Sequence, residues 1–419
     1  FIKNNKSFSS QMFGWLKFIL GYLWLLIVYL FKFILYVILT FLFILWKHQG
    51  SILYQRHAPS RKRQIYYNPF PRYKTPLYYK INNYQDIFIK TYDDVNIHCI
   101  IMKQKNNSID LPTFIMFHGN AGNIGYRLPN AVQMYHELNI NVILVDYRGY
   151  GNSEGIPTQK GLIYDAEAVL SYIIDEINDI NPNKIYLFGR SLGGAVAIEL
   201  AYRCCTRKLD TIKNQRKYVK LNDERKMVTK ISSIDGSKQE IEQTLINNND
   251  NVSDSISDIN ETESMNNKRK SIKICGLIVE NTFTCLLDMV LCIINDFITS
   301  QWGNPNYIPD ENDNIVLNDK NDYGMHPIFK SKKFYYFKVF LSYFISNKWL
   351  SINKIKDITI PILFLSGLQD ELVPPHHMKQ LNEKATNSVL NVMQTYPDGD
   401  HNSTWQRGGP KYMDDLLAF

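Results

Sequence analysis

Hydrophobic and polar positions divide the chain into three regimes. From Phe18 to Trp46 the sequence is almost purely apolar: FILGYLWLLIVYLF, then Lys32, then FILYVILTFLFILW. At ~1.5 Å per residue a helix over this run extends about 44 Å, whereas a bilayer core takes about 20 residues. A signal peptide has a shorter apolar region, roughly 7–15 residues, ending in small residues; here Lys47 and His48 follow. Apolar residues on every face exceed what a helix in a soluble core needs. The run predicts one tilted transmembrane helix, flanked by Lys17 and Lys47, with Trp15 and Trp46 near the interfaces. Lys32 must snorkel or pair in mid-membrane; the alternative is that it divides two half-depth segments.

The second regime, 206–271, consists largely of Lys, Asn, Asp, Ser and Glu, with NNNDN at Asn247–Asn251, one aromatic (Tyr218), one Gly (Gly236) and no Pro. Such a composition cannot bury enough apolar area to offset its ordering entropy. It predicts a disordered surface insertion, able to offer contacts to a protein partner. The shorter segment Asn304–Asn321 reads the same way, and Lys268-Arg269-Lys270 reads as solvated linker.

The remainder, from about Tyr84 onward, alternates short apolar runs with helical patterns. Strands are predicted at Asp86–Lys90, Asn96–Met102, Thr113–His118, Asn141–Asp146, Lys184–Gly189, Cys275–Glu280, Pro361–Ser366 and Leu390–Tyr396. Several are continuous apolar runs, as expected of parallel strands covered on both faces. The first two, joined through Tyr92-Asp93-Asp94, read as an antiparallel hairpin. Helices over Gly161–Ile177 and Leu192–Arg203 complete βαβ units. The fold class is therefore α/β: a mostly parallel eight-stranded sheet with helices on both faces, behind an N-terminal membrane helix.

Composition adds exclusions. At 419 residues and 45% hydrophobic, the chain has material for a sizeable core, which rules out wholesale disorder. A net charge of +7 is mild for this length. It comes with no nucleic-acid motif, so no nucleic-acid partner is expected. Six Cys (Cys99, Cys204, Cys205, Cys275, Cys285, Cys292) form no CxxC and no regular spacing, against a disulfide scaffold or zinc ribbon. There is no HExxH, GxGxxG or P-loop, and neither metal nor cofactor is expected. The first residue is Phe1 rather than Met, as in a sequence trimmed at its start.

Candidate chemistry centres on Gly189-Arg190-Ser191-Leu192-Gly193, a G-x-S-x-G turn between a strand and a helix. So tight a turn strains the central Ser, and side chains two positions to either side would collide, so both are Gly. It holds the Ser191 hydroxyl above the sheet at a helix N-terminus, where developing negative charge is favoured. A serine nucleophile needs a base, and the base an orienting acid, in chain order Ser, acid, His. Asp370 follows the strand PILFLSG in SGLQDELVPP, with Glu371 as the adjacent alternative. His401 follows the last strand in YPDGDHNSTW. His376 and His377 fit worse, since they should open a helix a few residues past Asp370. The oxyanion of an acyl transfer needs preorganised backbone donors: the N–H of Leu192, and that of Asn120 in His118-Gly119-Asn120-Ala121-Gly122-Asn123, where Gly119 allows close approach. Asp146 and Arg148 in DYRGYGNSEG read as a structural polar network.

Together HGNAGN, DYRGYGNSEG, FGRSLGGAVA, ENTF, SGLQDELVPP and PDGDHNSTW resemble the membrane-anchored branch of the α/β-hydrolase superfamily. More narrowly they are similar to the bud-emergence-type (BEM-forty-six-like) hydrolases and the animal α/β-hydrolase domain thirteen group. The motifs span about Asp86 to Trp405 in the expected order. The resemblance implies Ser191 as nucleophile, Asp370 as acid and His401 as base, and an N-terminal signal anchor. It leaves the natural substrate open. The long insertion after the nucleophile helix departs from the pattern. The expected organisation is a tail and anchor at 1–50, a Pro-rich connector at 51–83, and a hydrolase domain at 84–419. That domain carries the insertion and room for a cap region about 283–356, where FYYFKVFLSYF at Phe334–Phe344 reads either as part of a cap over the site or as a core helix. Flanking charge, with Lys3, Lys6 and Lys17 before the run and Lys47, Arg56, Arg61, Lys62 and Arg63 after it, favours a cytoplasmic domain. The resemblance points instead to the lumenal or outer side. The expected function is a membrane-tethered serine hydrolase acting on an ester or thioester, an acyl lipid or lipidated protein. The competing readings are a non-enzymatic membrane scaffold on the same fold and a protease or amidase.

Overall fold

The computed structural model describes residues 2–56, 75–206, 274–302 and 332–419. Nearly all of the predicted insertion, the segment Asn304–Asn321 and the middle of the connector lie outside the described residues. The chain divides into two compact units, one of Phe1–Leu53 with Lys332–Asn347, the other of Tyr54–Ser331 with Lys348–Phe419.

The first unit is built on α1 (Ile2–Leu53), continuous through Lys32, so the division into two half-depth segments is not what forms. Within it Trp15–Ser51 is long and apolar enough to cross a membrane. Nearly all the large side chains of Phe18–Trp46 are exposed among the described residues. The Lys32 ammonium lies 5.8 Å from the centroid of the Tyr29 ring, an aromatic partner for a charge in an apolar run. The apolar segment Phe334–Phe344 lies in a helix, Lys332–Phe344, which with the residues up to Asn347 falls in this unit; the other described residues of the expected cap region belong to the second. Ser346 donates its backbone N–H to Gln49 Oε1 at 2.8 Å.

The second unit holds an eight-stranded sheet in the order β1-β2-β4-β3-β5-β6-β7-β8. Its strands are β1 (Tyr84–Lys90), β2 (Asn96–Met102), β3 (Thr113–Phe117), β4 (Asn141–Val145), β5 (Ile185–Arg190), β6 (Ile274–Glu280), β7 (Ile362–Gly367) and β8 (Asn391–Tyr396). Only β2 runs against the rest: it pairs antiparallel with β1 and β4, and every other pairing is parallel. β3, β4 and β7 are buried along their whole length, which is why they read as unbroken apolar runs. β1 alternates at the edge. The helices α2 (Leu128–Glu137), α3 (Gln159–Glu176) and α4 (Leu192–Cys205) connect the central strands. Thr158 caps α3 by accepting the N–H of Gly161 at 3.0 Å. After β6 come α5 (Leu286–Trp302) and, beyond α6 (Lys332–Phe344), α7 (His376–Lys384) and α8 (Gly409–Ala418).

This winding puts the carboxyl ends of β3, β5, β6, β7 and β8 along one rim, where loops gather chemistry in open parallel sheets. α4 starts on that rim and returns to the other, where β6 begins. The end of α4 and the start of β6 therefore lie at the rim opposite the Ser191 turn.

Candidate active site

The strand-to-helix turn is as tight as its sequence requires. A Cβ on Gly189 would stand 2.2 Å from the carbonyl oxygen of Gly193, and one on Gly193 would stand 1.9 Å from that of Phe117. Neither position admits a side chain. Ser191 sits between them at φ 53°, ψ −120°, a conformation costing about 1–3 kcal/mol that neighbours must hold. Its N–H donates to the carbonyl of Glu280 at 2.9 Å. Its own carbonyl accepts from Thr282 Oγ1 at 2.7 Å and from the N–H of Gly194 at 2.9 Å.

The three residues expected to form a line of proton transfer are brought together from three loops. His401 Nε2 lies 3.0 Å from Ser191 Oγ, and His401 Nδ1 lies 2.8 Å from Asp370 Oδ2. With Nδ1–H donating to the carboxylate, the lone pair of Nε2 faces the hydroxyl. The other carboxylate oxygen of Asp370 accepts the N–H groups of Leu372 (3.0 Å) and Val373 (2.8 Å), which fixes its rotamer. All three side chains are buried. Glu371 is exposed and takes no part in this line. Asp400 shapes the loop before His401 by accepting the N–H groups of Asn402 (2.9 Å) and Ser403 (2.7 Å).

The two expected oxyanion donors lie in the segments that adjoin Ser191. Leu192 is the first residue of α4, directly after Ser191. Gly119 backs onto Ser191, since a Cβ there would stand 3.5 Å from the Ser191 Cβ. Asn120 follows, and its side-chain oxygen accepts from Tyr150 OH at 2.9 Å and from the N–H of Gln55 at 3.1 Å. Burial pushes the Tyr150 phenol well above its ordinary value, so it stays a donor. His118 builds the loop from below: its carbonyl accepts from Tyr147 OH at 2.8 Å, and its Nε2 faces Asp146 at 3.5 Å.

Asp146 and Arg148 form the polar network expected of them. Asp146 accepts the N–H of Ile124 at 2.9 Å. Burial would push its carboxyl up, but hydrogen bonds with His118 and His98 hold it below the ordinary carboxylate range. Arg148 binds Asp93 through both terminal nitrogens (2.7 and 2.8 Å) and Asp165 through Nε (2.9 Å). Burial still raises Asp165 to about 7.

Two supporting roles are not evident from motif order. Asn281, at φ 48°, tolerates the left-handed backbone as Asn does. Its Oδ1 accepts the N–H of Gly367 (2.8 Å), and its Nδ2 donates to the Asp400 carbonyl and to Thr404 Oγ1, both at 3.0 Å. It ties the ends of β6 and β7 to the His401 loop. The only signal is its place in ENTF, just past a strand. The second is Arg190, fully buried beside the nucleophile, whose Nη2 lies 2.7 Å from Glu280 Oε2.

Comparison with known proteins fits this architecture. The family profile described as "Serine aminopeptidase, S33" matches residues 111–212, the stretch carrying the Asn120 loop and the Ser191 turn. The "Alpha/beta hydrolase domain-containing protein WAV2" of Arabidopsis thaliana is 32% identical over 342 residues, 80% of this chain and 78% of its own length. The chain belongs to the α/β-hydrolase family. Two further relatives extend over similar lengths. "Protein bem46" of Schizosaccharomyces pombe is 28% identical over 367 residues, 87% of this chain and 84% of its own. The "Uncharacterized membrane protein YNL320W" of Saccharomyces cerevisiae is 25% identical over 336 residues, 80% of this chain and 79% of its own.

Proposed function

We propose that this α/β hydrolase is a membrane-anchored serine hydrolase that cleaves an ester or thioester. The observation that carries the reading is the continuous hydrogen-bonded line Ser191–His401–Asp370. His401 Nε2 takes the proton of Ser191 as Oγ attacks the acyl carbon. Asp370 holds the imidazole in the receptive tautomer and stabilises the imidazolium that forms. The oxygen that becomes negative is met by the N–H groups of Leu192 and Asn120, donors aligned before the reaction starts. His401 then gives its proton to the departing alcohol or thiol, leaving an acyl-enzyme on Ser191. Water, deprotonated by the same nitrogen, attacks that acyl group, and the carboxylic acid departs as Ser191 recovers its proton.

An acyl lipid or lipidated protein is the substrate class that the rest of the chain favours. Support comes from α1, long and apolar enough to span a bilayer, and from the exposed apolar residues Tyr336, Phe340 and Tyr343 on α6. A relative named as a membrane protein points the same way.

Labelling with a fluorophosphonate tests the chemistry, because such probes react with an activated serine. The wild-type chain takes the label and Ser191→Ala does not; an unlabelled wild type would instead mark a scaffold that borrows the fold. A panel of acyl esters of graded length then reads chain preference. An alkaline carbonate wash tests the anchor, since a spanning helix stays in the membrane fraction while a peripheral protein is released.

A further inference from the structure

Away from the Ser191 line, a second cluster brings together side chains that no sequence spacing connects. Cys292 lies on α5, and His376 and His377 open α7. Cys292 Sγ lies 3.7 Å from His376 Nε2 and 3.6 Å from His377 Nε2. The three donor atoms all fall within 4.8 Å of one another. The two imidazoles stack, with centroids 4.3 Å apart and planes inclined by 28°, so both Nε2 atoms present to the same sulfur.

We propose that Cys292, His376 and His377 bind a single zinc-class divalent cation. Bonds of ~2.3 Å to thiolate and ~2.0–2.1 Å to imidazole, at tetrahedral angles, set sulfur and nitrogen about 3.6 Å apart. Both sulfur–nitrogen separations already have that length. One thiolate and two neutral imidazoles are also the donor set that selects zinc over magnesium or calcium. As the Sγ–metal bond forms, the thiol proton leaves to solvent. Cys292 and His377 are buried, whereas His376 is half-buried.

The surroundings support the ligands. Thr284 Oγ1 lies 2.9 Å from His377 Nδ1 and 3.4 Å from Asp288 Oδ2. The Thr284 N–H also points at this Nδ1, at 3.4 Å; a metal on Nε2 would place the ring proton on Nδ1, where it donates to the Thr284 hydroxyl while that hydroxyl donates to Asp288. Outer partners of this kind orient ligating histidines. The ion has a structural task. It clasps α5 to α7 at the point where Met378 Sδ accepts the N–H of Thr282 (3.2 Å), whose hydroxyl holds the Ser191 carbonyl. It touches none of the reacting atoms.

The test uses the purified full-length chain in detergent, stripped with a chelator and titrated with Co²⁺, then with Zn²⁺. The expected result is one equivalent bound, with a thiolate-to-cobalt charge-transfer band and the d–d bands of a tetrahedral site, both erased by one equivalent of Zn²⁺. Cys292→Ser loses the charge-transfer band. Thr284→Val keeps it but weakens binding about tenfold or more. His376→Ala, at a half-buried position, loses the tetrahedral d–d bands. Ser191→Ala retains the full spectrum, which separates this site from the hydrolase chemistry. A wild-type chain that binds no cobalt, or a folded Cys292→Ser with an unchanged spectrum, overturns the proposal.

Discussion

The backbone N–H of Gln55 donates to the side-chain oxygen of Asn120 across 65 positions of sequence. Two residues past the end of α1, the chain has already joined the loop expected to supply an oxyanion donor. Tyr54, buried beside it, accepts from Trp349 Nε1 at 3.2 Å. The start of the expected connector is thus part of the hydrolase unit.

Gln55→Pro removes this donor while Gln55→Ala keeps it. A net hydrogen bond is worth about 0.5–1.5 kcal/mol, so the Pro variant should lose roughly threefold to tenfold in kcat on a short ester, with Ala near wild type. A chain beginning at Ser51 should be soluble without detergent and retain turnover, whereas one beginning at Thr75 should lose more than the Pro variant. Steady-state rates on the four proteins decide it; equal activity in the Thr75 chain would show that the contact is idle.

Asp370→Asn leaves the packing alone but presents a donor where the imidazole needs an acceptor. In a Ser-His-Asp arrangement that error costs on the order of 10⁴ in kcat. Glu371→Gln, at an exposed neighbour outside the line, should change kcat by less than about twofold, since surface substitutions have small effects. Comparable losses in both variants would reassign the acid.

Glu280 holds the turn twice over. Its carbonyl accepts the N–H of Ser191, and its carboxylate accepts from Arg190 (2.7 Å) and from Tyr412 OH (2.8 Å). Removing one partner of a buried ion pair strands the other charge, at about 3–5 kcal/mol. Glu280→Ala should lower the urea midpoint accordingly, with the slope unchanged if unfolding remains two-state.

His98 gives a prediction about pH. Burial opposes its charge, but hydrogen bonds to Asp146 (3.4 Å) and Asp86 (2.6 Å) win and raise it to about 9. The folded chain therefore binds this proton more tightly than the unfolded chain, whose His titrates near ~6.5. The stabilisation is complete below that value and is lost as pH rises through about 9. The slope is at most about 1.4 kcal/mol per pH unit. Urea midpoints measured across this window should fall with pH in the wild type and fall less in His98→Gln; parallel curves would remove His98 from the balance.

The central strands are legible in the sequence because burial on both faces erases alternation, and the Ser191 turn because steric crowding leaves glycine as the only choice at 189 and 193. Asp370 and His401 are legible from chain order, since each follows a strand whose carboxyl end must reach the same rim. Contacts between segments far apart in sequence are not. Cys292 meets His376 and His377 across 84 and 85 positions, through helix packing that no local pattern encodes. Tyr54 reads as the beginning of a Pro-rich linker, because a single buried aromatic carries no periodicity. The apolar segment of the helix Lys332–Phe344 is legible, but sequence alone leaves it as a cap or a core helix and does not place it in the unit that contains α1.

The end of α4 and the start of β6, opposite the Ser191 turn, give the hydrolase unit two unlike poles. One pole is sterically locked, because glycines at 189 and 193 already touch backbone and a one-residue change in length would displace the nucleophile. The other pole has no such tolerance to exhaust. Lengthening the join there costs only about 0.6 kcal/mol for each doubling of the loop, and α4 and β6 stand as rigid spacers between it and the hydroxyl. A change of length at the junction of α4 and β6 should therefore leave the Ser191 turn in register.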